Sequence, residues 1–262
     1  MNVYVDDWLN REPPYAFTWD HFLFIFIYIS LGILLAFYLR KKSRKTITIV
    51  LICLWILFIA VEAFYLIALY IRSANNPTEY PFDMKKMLPL HTCLMPVYVF
   101  PFAIFSKNEV IKRSASSYLV IVNMIMGFIT LFVGCPGGNS ALSYFGQHTL
   151  IYHALDVIIP LIMLVTGYYD IKKNDIYYGL AVFGILAIAV YIFDAITKCD
   201  YFFFYDGSTF PVFGFISSNV PNIVWTLIVV FVYVAVAFIT HFSVIGIKTY
   251  FEKRKAKNAA NP

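Results

Sequence analysis

The chain has 262 residues, of which 61% are hydrophobic and 13% charged, with a mean hydropathy of +0.74, a balance that excludes a soluble globular domain. Its net charge of +5 sits in short connectors between apolar stretches, which speaks against a nucleic-acid partner and for membrane topology.

In chain order, the first 20 residues are polar and acidic, with no basic n-region and no small-residue cleavage site. No cleavable signal sequence is expected, and residues 1–20 are read as an outside N-terminal segment. A spanning helix needs about 20 apolar residues. Seven stretches meet or approach that length: Phe22 to Leu39, Ile47 to Ile71, Leu88 to Phe105, Ser117 to Val133, Thr149 to Tyr169, Ile176 to Thr197 and Ile223 to Ile247. Alternate connectors carry Arg40, Lys41, Lys42, Arg44, Lys45; Lys107, Lys112, Arg113; Lys172, Lys173; and Lys248, Lys253, Arg254, Lys255, Lys257, which is 15 of the 20 basic residues. By the positive-inside rule that set is cytoplasmic. The expected fold is therefore all-α and polytopic: seven transmembrane helices over residues 21–247, N-terminus outside, and a basic cytoplasmic tail over 248–262. The excess charge is topological and suits anionic headgroups.

Aromatic residues make up 19% of the chain and gather near the expected helix ends, as at Tyr168, Tyr169, Tyr177, Tyr178 and Tyr201 to Tyr205. That placement predicts rings at headgroup level. The longest connectors, Arg72 to Met87 and Lys198 to Asn222, fall outside and are placed to cover a site entrance. Cys135 and Cys199 also fall in outside connectors, where a disulfide can form, but two residues alone leave their pairing open.

Ionisable side chains inside apolar stretches are costly and usually mark a site. Here they are His21, Glu62, His91, Cys93, His153, Asp156 and Asp194. Counting about 1.5 Å per residue from each outside end puts Cys93 and His153 about 8 Å in, Asp156 about 12 Å, Asp194 about 6 Å and Glu62 about 14 Å. All lie in the outer half of the bilayer, which predicts one site that opens outward. His241 alone falls toward the inner end, as a side chain reaching the interface.

His153 and Asp156 are three apart and share a helix face. An Asp beside a His fixes its tautomer and raises its basicity; the same pair also serves as a buried packing contact. Pro89 marks a helix start, which places His91 and Cys93 in the first turn, where the positive helix end favours thiolate. Two residues apart, they point about 200° from one another, so a His from another span is the better base. Pro96 and Pro101 are placed to kink this short span. Taken alone, Cys93 also fits a small core residue. Glu62 and Asp194 need partners, and no Lys or Arg lies within the spans; His21, His91 and His153 are the candidates.

These residues carry a resemblance. Asp20-His21-Phe22 opens the first span, Glu62 lies late in the second, and Leu88-Pro89-Leu90-His91-Thr92-Cys93 matches a Leu-Pro-Leu-His-x-Cys signature. Cys135-Pro136, His153, and Asp200-Tyr201 followed by aromatics complete the pattern. Over almost its whole length the chain resembles the YwaF-like family of bacterial seven-span membrane proteins, related to an animal transmembrane acyltransferase of ether phospholipids. The resemblance implies a thiol acyltransferase with Cys93 as nucleophile and His153 as its partner. Asp200 departs from the Asn usual at that position.

Three functions compete at this point. The first is a lipid acyltransferase or acyl hydrolase: His153, oriented by Asp156, deprotonates Cys93, which attacks a phospholipid ester, with His91 or N–H groups near Pro89 as oxyanion donors. Glu62, His21, Asp194, His148 and Tyr201 support the site or bind substrate. The second is a proton-coupled transporter or receptor using the same carboxyls and histidines, against which the inner half offers little beyond Asn123 and His241. The third is a metal-dependent lipid hydrolase, disfavoured because His148 and His153 are about 140° apart on a helix. No cofactor and no metal are expected. The partners expected are the phospholipid bilayer and a lipid substrate. Abundant Ile, Lys, Asn, Tyr and Phe suggest an AT-rich genome and a bacterial plasma membrane.

Overall fold

A computed structural model describes residues 18–133, 141–205 and 211–260. Among the described residues the regular structure is helical throughout. Helices α1 (Trp19–Leu39) and α2 (Arg44–Asn75) are followed by a 3₁₀ turn at Met84–Lys86. A second 3₁₀ turn, Thr92–Leu94, runs into α3 (Pro96–Phe105). Then come α4 (Glu109–Tyr118), a π-helical turn (Leu119–Asn123) and α5 (Met124–Val133), and finally α6 (Tyr144–Val165), α7 (Asp175–Thr197), α8 (Pro211–Asn219) and α9 (Asn222–Ala260).

Local chemistry sets several of these ends. Ser43 caps α2 by accepting from the Thr46 N–H at 3.2 Å. Asn108 caps α4 by accepting from Val110 and Ile111, and Ser143 caps α6 by accepting from Gly146 at 3.0 Å; each satisfies orphan donors of a first turn. α7 ends where Lys198 turns left-handed, at φ 61°.

Six helical runs are long and apolar enough to cross a membrane: α1, α2, α4 with α5, α6, α7 and α9. The expected third span is shorter. Helix begins at Thr92 rather than Pro89, and the apolar run Thr92–Phe105 reaches only about 20 Å. Pro96 sits at the first helical position of α3, where its missing N–H costs nothing; only Pro101 lies inside that helix. The last helix continues past Ile247 into the basic tail.

Burial divides the helices into two classes. In α6 and in the α4–α5 run, 72% and 61% of the most apolar window is buried, against 22–28% in α1, α2, α7 and α9. α6 is central, with α1, α2 and α5 packed on it, while α4 packs on α3 and α7. The outer helices turn apolar side chains outward: Ile188, Ile192 and Ile196, four apart on α7, are 65%, 54% and 76% exposed. Such a stripe on an otherwise packed bundle suits hydrocarbon as its surroundings. α5 approaches α6 closely because Gly127 has no Cβ, which would lie 2.4 Å from the Asp156 Cβ and 3.0 Å from the His153 carbonyl.

The aromatic-belt expectation needs correction. Tyr177 is exposed, but Tyr168, Tyr169, Tyr201, Phe202 and Phe204 are buried. The 198–205 connector folds back into the bundle and puts Tyr201, Phe202 and Phe204 into protein core, while Tyr168 and Tyr169 are buried just past the end of α6.

Candidate functional site

The two long connectors meet above α3 through Tyr201. Its hydroxyl accepts from the Leu88 N–H at 3.0 Å and donates to the Lys85 carbonyl. Its N–H donates to Asp194 Oδ2 at 2.9 Å, and its carbonyl accepts from His91 Nδ1 at 2.8 Å. One residue thus ties the segment before the thiol to the end of α7. Because a carbonyl only accepts, Nδ1 of His91 carries the proton and Nε2 keeps its lone pair. Burial pushes the Tyr201 hydroxyl up to about 12.

That shift has a sign that can be tested. A tyrosine in the unfolded chain titrates near 10, so the stability tied to this proton is complete below about pH 10 and fades as pH rises toward 12. Tyr201→Phe is expected to cost about 1–2 kcal/mol at neutral pH and to flatten the alkaline loss in that window. Thermal unfolding of purified protein against pH reads both, and an unchanged curve would show that the hydroxyl bonds are not made.

His91 caps the Thr92–Leu94 turn with extended backbone, and Cys93 sits in that turn. The first-turn placement holds, with its origin moved from Pro89 to Thr92. Thr92 bonds to the Tyr233 hydroxyl at 2.7 Å, fixing the turn against α9. The half-buried Cys93 thiol donates to the Tyr152 hydroxyl at 3.8 Å. The Tyr152 ring in turn lies 4.0 Å from the His153 ring and 4.7 Å from the His148 ring, centroid to centroid. The thiol and two histidines of α6 therefore share one neighbour.

The expected pairing of His153 with Asp156 is not formed. His153 Nδ1 donates to the Thr149 carbonyl one turn earlier, at 2.8 Å, which fixes the tautomer and leaves Nε2 as the proton acceptor. Asp156 Oδ1 accepts from Asn123 Nδ2 at 2.7 Å, across to the π-helical turn. Along α6, Asp156 lies one turn past Tyr152 and on its face, while the His153 ring is held back toward Thr149 by its own helix. Asp156 Oδ2, Asn123 Oδ1 and the Tyr118 hydroxyl are buried without a hydrogen-bond partner.

Glu62 makes its close ion pair with a histidine other than those expected. Its partner is His148, Nε2 to Oε2 at 2.9 Å, with both side chains under 8% exposed. Tyr65, three residues further along α2, stacks on the His148 ring at 3.9 Å. Asp194 is answered by the Tyr201 backbone rather than by a histidine. His21 is buried in the first turn of α1, the helix that packs on α6. His241 is wholly buried, and its Nε2 donates to the Lys173 carbonyl of the connector between α6 and α7 at 3.0 Å. Cys135 lies outside the described residues; the buried Cys199 thiol donates to the Lys85 carbonyl at 3.4 Å.

Two contact groups thus meet along the chain at residues 91–93: His91, Tyr201 and Asp194 on one side, and Cys93, Tyr152, His153, His148 and Glu62 on the other, with Asp156 one turn further along α6. Tyr152, Tyr65 and Tyr233 join the assembly without having been singled out; Thr92 joins through its bond to Tyr233, and Asn123, noted above only for the inner half, joins through Asp156. His148, Tyr152 and Asp156 recur every four residues on one face of α6, a spacing that marks Tyr152 in the sequence. Tyr233 and Asn123 come from other helices and carry no such signal. Among the described residues, no three His, Cys, Asp or Glu side chains gather as a metal-holding group.

A family model described as the TMEM164 family matches residues 16–239 of the chain. No curated protein and no solved structure matches it.

Proposed function

The chain belongs to the TMEM164 family, and from that footing we propose that it is a membrane-embedded lipid acyltransferase, or acyl hydrolase, working through Cys93 with His153 as base. The proposal includes seven crossings with the short Thr92–Phe105 helix as the third, an outside N-terminus and an inside C-terminus. It also takes the chain to be a bacterial, YwaF-like plasma-membrane protein whose partners are lipids.

The observation that carries it is the placement of Cys93. The thiol opens a helix, is half-buried, and borders Tyr152, whose ring contacts a histidine with its Nδ1 already committed. Cys93 lies in the turn that opens this helix, and in this reading that end faces the headgroup boundary, where phospholipid ester carbonyls lie.

Chemically, His153 Nε2 takes the Cys93 proton and the thiolate attacks the ester carbonyl. The N–H groups opening the Thr92–Leu94 turn are the oxyanion donors. Collapse breaks the C–O bond, the departing lysolipid alkoxide takes the proton from His153, and the acyl group remains as a thioester. An acceptor hydroxyl then gives its proton to His153 and attacks the thioester. Cys93 leaves as thiolate and takes that proton back from His153, which restores both groups; water as acceptor gives hydrolysis. His91, whose Nε2 also keeps its lone pair, lines the entrance.

Purified protein in vesicles that carry a phospholipid with a labelled acyl chain and an unlabelled lysolipid should move label into the acceptor or release it as fatty acid. Vesicles unchanged in both respects over a full temperature and lipid series would overturn the activity. A second measurement isolates the role of Asp156. Since Thr149 orients His153, Asp156→Asn is expected to leave the transfer rate within about tenfold, whereas loss of a true orienting carboxylate costs about 10⁴-fold.

A second reading, proton-coupled transport, draws on the unpartnered polar atoms of Asp156, Asn123 and Tyr118 beneath the thiol. Uptake of a solute driven by a pH gradient, and unaffected by Cys93→Ala, would favour it.

A further inference from the structure

At the far end of α6 from His148, the connectors ahead of α2, ahead of α4 and between α6 and α7 come together around a pocket of about 190 Å³. Its lining includes Arg44, Glu109, Lys112, Arg113, Tyr168 and Lys172. All three connectors belong to the basic set.

Not every charge there is available. Asp175, with a side chain 1% exposed, accepts from Arg113 Nε and Nη2, both at 2.6 Å. It accepts further from the Tyr169 hydroxyl at 2.6 Å and from the Lys172 N–H at 2.7 Å. Four donors on two oxygens saturate that carboxylate and spend the charge of Arg113. Asp170 is paired with Lys248 of α9. Arg44 lies over the Tyr168 ring at 4.4 Å, with Nη2 3.4 Å from the Tyr168 carbonyl, so the guanidinium is held in place while donors remain. Among the described residues, the side chains of Arg44, Lys112 and Lys172 make no ion pair within 4 Å. These three cations face a single uncommitted acid, Glu109, which sits in the first turn of α4, where the helix end already favours it.

A concave, net-positive site at the ends of apolar helices, with a fixed guanidinium and two flexible ammoniums, has the donor geometry of a phosphate site. Basic pockets between spanning helices on the cytoplasmic side take anionic headgroups. We propose that this pocket holds the phosphate of an anionic lipid headgroup, with Arg44, Lys112 and Lys172 as donors. It is separate from the thiol site and independent of what that site does.

The test uses the full chain in neutral detergent, with thermal stability titrated against phosphatidylglycerol, phosphatidylcholine, glycerol phosphate and inorganic phosphate. Phosphatidylglycerol is expected to raise the unfolding temperature saturably, with phosphatidylcholine far weaker. Each of Arg44→Gln, Lys112→Gln and Lys172→Gln should weaken the apparent affinity about fivefold. Lys172 is exposed, so its variant keeps the readout if Arg44→Gln fails to fold. Lys253→Gln with Lys257→Gln, in the same basic set but in the tail, should leave the affinity unchanged. An equal loss in that tail variant would reduce the effect to bulk charge, and an unchanged Lys172→Gln would remove the pocket from it; either overturns the proposal. A stabilisation matched by glycerol phosphate or inorganic phosphate at the same concentration would overturn the lipid source in favour of a soluble anion.

Discussion

Cys93→Ala is expected to lower acyl transfer by about 10³-fold or more, with the fold intact. The magnitude follows from the role: a nucleophile that forms the covalent intermediate has no substitute, and what survives its loss comes only from binding and from oxyanion donors. The fold should survive because the thiol is half-buried and its contact to Tyr152 is long, 3.8 Å. Thr92, which carries the strong bond to Tyr233, is untouched. Transfer of labelled acyl chain in vesicles, normalised to protein that elutes as wild type on size exclusion, reads the effect. A folded variant with wild-type transfer would return Cys93 to the rank of a small core residue.

Glu62→Ala is expected to be the most destabilising single change at the site, by about 3–5 kcal/mol. It leaves His148 Nε2, bonded at 2.9 Å in the native protein, without a partner in surroundings where water does not readily enter. Tyr65 stacked on the ring prevents the imidazole from turning away to find another. Glu62→Gln preserves an acceptor at the same reach and should cost much less, about 1 kcal/mol. A double change, Glu62→Leu with His148→Phe, removes both polar groups and should recover most of the loss, because neither is then buried alone. Unfolding in lipid nanodiscs orders the three variants. If Glu62→Ala and Glu62→Gln fall together, close to wild type, the pair is not buried as described.

How much of this was legible in the sequence depends on the range of each signal. Apolar length and connector charge are local, and they located six long helices but not all their ends: the fourth span begins at Glu109 rather than Ser117, and the last helix runs to Ala260 rather than Ile247. They overestimated the third, because Leu88 to Leu90 is apolar enough to read as helix, while the Leu88 N–H is held by Tyr201 and the Leu90 N–H by the Leu88 carbonyl. The convergence of ionisable groups was partly legible from cost: a buried ionisable group must be answered, and α2 with Glu62 packs on α6, which carries His153 and Asp156. Which group answers which was not legible. Three-residue spacing suggested His153 with Asp156, but a histidine on a helix can also bond its own i−4 carbonyl, and here it does. That freed Asp156 for Asn123, on a π-helical turn that no periodicity announces. Glu62 met His148 because α2 packs on α6, a tertiary fact. Aromatic position misled in the same way: Tyr201 to Phe204 read as a headgroup belt, yet the connector turns inward and buries them.

The most direct measurement is mass spectrometry of the purified protein after brief incubation with a phospholipid donor and no acceptor. A fatty acyl mass on the Cys93 peptide is expected. It should be released by neutral hydroxylamine, be absent in Cys93→Ala, and be chased off by an added acceptor. An unmodified Cys93 in a preparation that is actively transferring acyl chains would contradict the thiol mechanism outright.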